Sequence, residues 1–242
     1  MITENSYIGE IVARDIKTAV VFESVGIDYC CRGNRTLFDV CKEQSLEIKS
    51  ILEKLLAINS TVDSTSNVID YNSWPLTRLV DHIVHTHHKF VRSEIPLLQQ
   101  RIDRICTVHG EHHPELFEVN KLFNQTANEL LQHMVKEERM LFPQIKALEV
   151  AANNNEKANK PLFGSVTNPI EMMMQEHTNE GDRFVKIAKL TNNYIPPVDA
   201  CNTYKVTFQT LKEFEQDLHR HIHLENNILF PKAERIEKEL KA

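Results

Sequence analysis

The chain contains one phrase twice. HMVKEERMLFP begins at His133 and HIHLENNILFP begins at His221. Both read His, three residues, Glu, three residues, Leu-Phe-Pro. A His and a Glu four residues apart lie on one face of an α-helix. Each copy therefore requires a helix that presents an imidazole and a carboxylate on the same side. With 12 His and 34 acidic residues in 242 positions, chance supplies about one or two His-x-x-x-acid pairs. Chance does not supply the same tripeptide at the same offset, so the repeat marks an internal duplication.

A duplication should be matched elsewhere in each half. His88 precedes His133 by nearly the same interval as His177 precedes His221. Helical periodicity leaves His85, one turn earlier, open; the half-repeat spacing selects His88. The set is then His88, His133 and Glu137 from one half with His177, His221 and Glu225 from the other. Four imidazoles and two carboxylates from four helices point to a bundle interior that binds metal. Imidazole suits Fe, Zn, Cu and Ni, and a carboxylate can give one oxygen to each of two ions. The pattern predicts a dinuclear centre, with iron the favoured metal. A ferritin-type site would need Glu-x-x-His and a zincin His-Glu-x-x-His. Both are absent from the sequence, as are P-loop and dinucleotide-binding glycine patterns.

The rest of the chain agrees with an all-α fold. Six Gly and nine Pro are few for a turn-rich β protein, and Leu, Glu, Lys and Gln favour helices. Residues 8–25 carry apolar side chains at spacings of three and four, including Val20, and predict one helix ended by Gly26. Thr36 and Ser45 are expected to cap two more. These make a small helical N-terminal domain over 1–60. Residues 61–73 are Ser-, Thr- and Asn-rich and predict a linker. Residues 74–242 predict a four-helix bundle: Trp74 to Cys106 with a kink at Pro96, Pro114 to Leu141, Pro169 to Leu190, and Val198 to Leu229. Residues 151–168 are expected to form a loop. Leu-Phe-Pro is expected to pack the bundle end and to stop or bend each helix.

Charge and cysteine usage narrow the partners. The net charge is −6 without a basic run, which argues against nucleic acid. No apolar run is long enough for a membrane span, and the polar N-terminus lacks a signal-peptide core; a cytoplasmic protein is expected. Of five Cys, the adjacent pair Cys30-Cys31 stands out. Arg32 and Arg35 are expected to favour its reactive thiolate form, so redox chemistry or metal handling is predicted there. Cys41, Cys106 and Cys201 are expected to be buried thiols. His219 and His223 point away from the His221 face, and His109, His112 and His113 are expected to be solvent-exposed.

Together these motifs resemble a known family. His88, His133-Met-Val-Lys-Glu137, Glu176-His177 with Gly181, and His221-Ile-His-Leu-Glu225 resemble a hemerythrin-like di-iron bundle. Asp28-Tyr-Cys-Cys-Arg-Gly33 resembles the short domain that precedes it in the repair-of-iron-centres family, of the YtfE/ScdA type. The resemblance implies a non-haem di-iron centre of two iron ions, oxo- or hydroxo-bridged when oxidised, held by His88, His133, Glu137, His177, His221 and Glu225. It implies repair of iron–sulfur clusters damaged under nitrosative or oxidative stress, by donation of iron or electrons. Damaged cluster proteins would be the partners, with O2 or NO as small ligands and a homodimer left open. Nitric oxide reduction, or reversible O2 or NO binding, are the alternative activities it implies. An Asn-rich stretch near 150–160 departs from the family pattern, in a loop.

Overall fold

The computed structural model describes residues 2–60, 69–154, 156 and 164–241. Among these residues every regular element is helical, and the isolated β-bridge is between Tyr7 and Thr36. Four short helices come first: α1 (Ile8–Arg14), α2 (Ala19–Ser24), α3 (Leu37–Glu43) and α4 (Ile48–Ser60).

The run expected as a single helix over 8–25 is broken at Asp15, which is extended at φ −148°. Its carboxylate accepts from the Lys17 N–H at 3.0 Å and starts a 3-10 turn. The break resets the helical phase, which is why Val20 is 59% exposed. Gly26 ends α2 at φ +71°, a conformation that costs glycine little. Thr36 caps α3 by accepting from the Asp39 N–H at 3.1 Å. Ser45 does not cap α4; it lies at φ +55° in the preceding turn, and α4 starts later, at Ile48. Most of the expected linker, residues 61–68, lies outside the described residues; Tyr71–Ser73 within it forms a 3-10 turn.

The bundle has four rods. The first joins α5 (Leu76–His82) to α6 (Lys89–His109) through a π turn at Ile83–His88, and α6 runs on through Pro96. The second joins α7 (Glu115–Lys136) to α8 (Phe142–Asn154) through a π turn at Glu137–Leu141. The third is α9 (Thr167–Leu190). The fourth joins α10 (Asn202–Leu224) to α11 (Phe230–Lys241) through a π turn at Glu225–Leu229. The second and fourth rods thus continue past Leu-Phe-Pro instead of stopping there. Proline lacks an N–H and its ring crowds the carbonyl four residues back; the wider π turn just before it accommodates both. Residues 151–154, expected in a loop, belong to α8, while 155 and 157–163 of the Asn-rich stretch lie outside the described residues.

Two apolar clusters fill the interior. The larger gathers Val91–Met134, Phe184–Ile222 and the N-terminal side chains Phe22, Tyr29 and Leu37. The smaller gathers Leu76–Ile83, Leu141–Leu148, Ile170 and Leu224–Ala233. Along every rod the predicted His and Glu positions fall where one set gives way to the other, so the polar residues form a layer at the junction of the two apolar slabs. No helix of the described residues is long and apolar enough to cross a membrane.

Candidate metal centre

All six residues chosen from the repeat converge in that layer. His88, Glu137 and Glu225 each stand in a π turn; His133 and His221 lie one α-helical turn before the Glu of their rod, and His177 comes from the unbroken α9. Each side chain is 3% exposed or less. They form two groups whose ligand atoms lie within 4.8 Å of one another: His88, Glu137, His221 and Glu225, and His133, Glu137, His177 and Glu225. Both carboxylates belong to both groups.

The oxygens divide accordingly. Glu137 turns Oε2 toward His88 Nε2 at 3.4 Å and Oε1 toward His133 Nε2 at 3.2 Å. Glu225 turns Oε1 toward His221 Nε2 at 3.1 Å and Oε2 toward His177 Nε2 at 3.2 Å. The imidazoles also meet nitrogen to nitrogen, His88 with His221 at 3.1 Å and His133 with His177 at 3.0 Å. A cation bonded at about 2.0–2.2 Å to such donors separates neighbouring donor atoms by roughly 3.0–3.5 Å. The observed spacings match the edges of two coordination polyhedra.

The outer nitrogens explain why the inner ones are lone pairs. His88 donates Nδ1–H to Glu138 Oε1 at 2.7 Å, and His133 donates Nδ1–H to Glu176 Oε2 at 2.8 Å. His177 donates Nδ1–H to Asn226 Oδ1 at 2.8 Å. With Nδ1 protonated, the neutral ring aims a bare Nε2 at the carboxylates. Among the described residues both oxygens of Glu137 and Oε2 of Glu225 have no hydrogen-bond partner despite full burial, a state that costs several kcal/mol per ion unless a positive charge compensates it. A metal ion supplies that charge, and the donor set fits one. Without an ion, protons take its place. Burial opposes charging His133, yet Glu137, Glu176 and Glu225 outweigh it and push its pKa up to about 10. Glu225, though burial and Glu137 oppose ionisation, is held down to about 2 by His221 and His177.

The duplication reaches further than the ligands. Phe142 stacks on His88 with ring centroids 5.7 Å apart, and Phe230 stacks on His177 at 6.2 Å. The Phe of each Leu-Phe-Pro thus steadies the His of the other rod in its half. The symmetry breaks at His221. Its Nδ1 has no hydrogen-bond partner among the described residues. By the repeat, the partner of His221 should precede His88 as Glu176 precedes His177. His87 stands there instead, stacked on His221 at 5.7 Å and bonded through its Nδ1 to Asp217 at 2.9 Å.

The cysteine pair lies against the same layer. Cys31 Sγ is 3.5 Å from the His177 carbonyl, and Cys30 Sγ is 3.7 Å from Cys31 Sγ, both thiols free. The arginines expected to favour thiolate are engaged elsewhere: Arg32 faces Asp28 and Asp182, each at 3.9 Å, and Arg35 pairs with Glu43. The hydrogen bond to Cys31, burial and Asp28 push the Cys30 thiol pKa well up. Cys41 and Cys106 are buried as expected, but Cys201 is exposed, 3.2 Å from His109 Nε2. His112 is exposed, whereas His113 is largely covered and bonded to Asp199 and Glu115. His223 is fully buried, held neutral by desolvation with a pKa of about 3. Beside His133 and His177 a cavity of about 280 Å³ opens, lined also by Glu129, Glu176 and Glu180.

Glu138 and Asn226 were not singled out from sequence, and Glu176 entered only as part of the Glu176-His177 motif, without a role. Their signal was adjacency: each is the chain neighbour of a ligand candidate.

Two domain families match successive parts of the chain. Residues 4–59 match the ScdA_N domain, described as a domain of unknown function, and residues 79–233 match the hemerythrin HHE cation binding domain. An iron-sulfur cluster repair protein ScdA from Staphylococcus haemolyticus is 28% identical over 96% of this chain and 99% of its own length. Iron-sulfur cluster repair proteins YtfE from Yersinia pestis and Pectobacterium atrosepticum are 31% and 32% identical, over 95% and 93% of this chain and 96% and 95% of their own lengths. Matched by both domain models and 31–32% identical to the YtfE proteins over nearly its whole length, the chain belongs to the ScdA/YtfE family, with a ScdA_N domain ahead of a hemerythrin HHE cation binding domain.

Proposed function

We propose that this chain is a non-haem di-iron protein of the cytoplasm that repairs iron–sulfur clusters damaged by nitric oxide or oxidative stress, donating iron, electrons or both. One observation carries the reading: two four-residue donor groups share both of their carboxylates, each turning one oxygen to either position. Imidazole and carboxylate donors suit iron, and the relatives that match over nearly the whole chain are named for cluster repair. Bound there, two iron ions would supply exchangeable iron and one-electron redox chemistry.

The chain's own residues set the conditions. His88, His133, His177 and His221 offer Nε2, while Glu138, Glu176 and Asn226 fix three of the rings by accepting from Nδ1. Such outer partners are worth tenfold to a hundredfold in metal affinity or activity. Cys31, 3.5 Å from the His177 carbonyl, and its neighbour Cys30 would assist transfer to a client. The deciding experiment loads the purified protein with ferrous iron and adds a nitric-oxide-damaged cluster enzyme under anaerobic conditions. Recovery of that enzyme's activity supports the reading; no recovery with a fully loaded protein rejects it.

The cavity beside His133 and His177 favours a second reading, reduction or reversible binding of a small ligand such as NO or O2. Headspace analysis for nitrous oxide over repeated anaerobic turnovers separates reduction from binding.

A further inference from the structure

Asn226 touches two things at once. Its Oδ1 accepts from His177 Nδ1–H at 2.8 Å, and its Nδ2 donates to the Cys30 carbonyl at 3.3 Å. The side chain is buried, 7% exposed, so neither bond has water as an easy substitute. The amide has a sense. A carbonyl only accepts, so Nδ2 must face Cys30, Oδ1 must face His177, and the ring must carry its proton on Nδ1. That leaves His177 Nε2 as a lone pair aimed at Glu225 Oε2, 3.2 Å away. Polarity therefore runs unbroken from the Cys30 carbonyl through one amide and one imidazole to the candidate metal position.

We propose that Asn226 is a positioning residue that couples the Cys30–Cys31 loop to metal occupancy at His177. The inference rests on the di-iron reading above. An ion on Nε2 forbids a proton there and so pins the Nδ1–H tautomer. Asn226 then keeps its donor on Cys30, and the loop stays closed over the centre. With the position empty, the ring is free to carry its proton on Nε2. Nδ1 then becomes an acceptor, and the amide turns over to donate to it. Its oxygen would face the Cys30 carbonyl, two acceptors in contact, and the thiol loop loses this hold and opens more readily. Linkage makes the effect reciprocal: a closed loop presets the tautomer that binds metal.

A neighbour supplies the control. Asn227 Nδ2 donates to the Tyr29 and Cys30 carbonyls at 3.2 and 3.1 Å and bonds His223, without touching His177. It anchors the loop but does not report on the metal.

The test measures iodoacetamide alkylation of Cys30 and Cys31 by peptide mass spectrometry, in metal-free protein and in protein loaded anaerobically with ferrous iron, with iron content measured on the same samples. Wild type should alkylate at least about fivefold more slowly when loaded, the lower range of coupling between sites. Asn226→Asp still accepts from His177 but cannot donate to Cys30; it should bind iron and lose the difference. Asn227→Ala should react faster in both states and keep the difference. Retention of full protection in N226D, or no protection in iron-loaded wild type, would overturn the coupling alone. Wild type that binds no iron at the His/Glu layer would overturn the di-iron reading and this inference with it.

Discussion

Glu137 and Glu225 do a different job from the four histidines, although all six meet in one layer. Each carboxylate faces both candidate positions, whereas each imidazole faces one. Replacing Glu137 or Glu225 by Ala is therefore expected to empty both positions, while His88→Ala or His133→Ala should remove the metal from one and weaken the other. Metal analysis of the purified variants distinguishes these outcomes; equal losses from Glu and His variants would contradict the shared-carboxylate geometry. His133 gives the layer a pH dependence. Its folded pKa, raised from 6.5 to about 10 by Glu137, Glu176 and Glu225 against the opposing effect of burial, lies above its unfolded value. The stability it contributes is full below about pH 6.5 and disappears as pH rises through about 10. The melting temperature of the metal-free protein should fall over that interval. Iron-loaded protein should not share this fall, because the ion replaces the proton. Thermal scans of both forms from pH 6.5 to 10 check it.

At the scale of elements, the π turns are the devices that sequence concealed. His88, Glu137 and Glu225 were legible because i, i+4 spacing and the near-equal half-repeat put them on inward faces. The widened turns were not, since one extra residue per turn changes no composition and little periodicity. The proline of each Leu-Phe-Pro was the visible trace, read as a stop because its missing N–H and crowded ring end most helices. Here the helix had already widened before reaching it. The break at Asp15 is hidden for a similar reason: the three- and four-residue apolar spacing runs through it in the sequence, although the 3-10 turn shifts the helical phase and turns Val20 outward. The fourth-rod π turn also carries Asn227, which packs into α1. A Cβ on Gly9 would lie 2.4 Å from Asn227 Oδ1. Gly9→Ala should therefore destabilise the protein by about 1–3 kcal/mol, despite alanine's better helix propensity, and raise alkylation of Cys30 and Cys31. Urea unfolding measures the first effect; unchanged stability would mean that α1 does not bear on this turn.

For the whole molecule, the two domain families along the chain share one interior. Phe22, Tyr29 and Leu37 belong to the same apolar cluster as Leu211, Phe214 and Ile222, and Asn72 Nδ2 donates to the Ala13 carbonyl at 2.8 Å. A peptide of residues 1–60 buries too little surface on its own to offset its chain entropy. Its circular dichroism should show little helix and no cooperative melt, whereas the same residues in the full chain unfold with the bundle. A cooperative transition in the isolated peptide would contradict the shared core. This dependence was partly legible, since so short a helical segment needs neighbours. The docking of the Cys-Cys loop on His177 was not, because it depends on contacts between residues far apart in the chain.

The duplicated phrase also bears on ancestry. Each candidate metal position takes one His from each half and both shared carboxylates. Two identical copies of a half, associated about a twofold axis, would supply the same four imidazoles and two carboxylates. Such a dimer would be forced to repeat every neighbour of the site. Fusion into one chain lifts that constraint. It lets His87 stand where the other half has Glu176, and Asn226 where the other half has Glu138. The contact between Asn226 and Cys30 is a product of that freedom, because only one of the two copies could ever meet a single thiol loop.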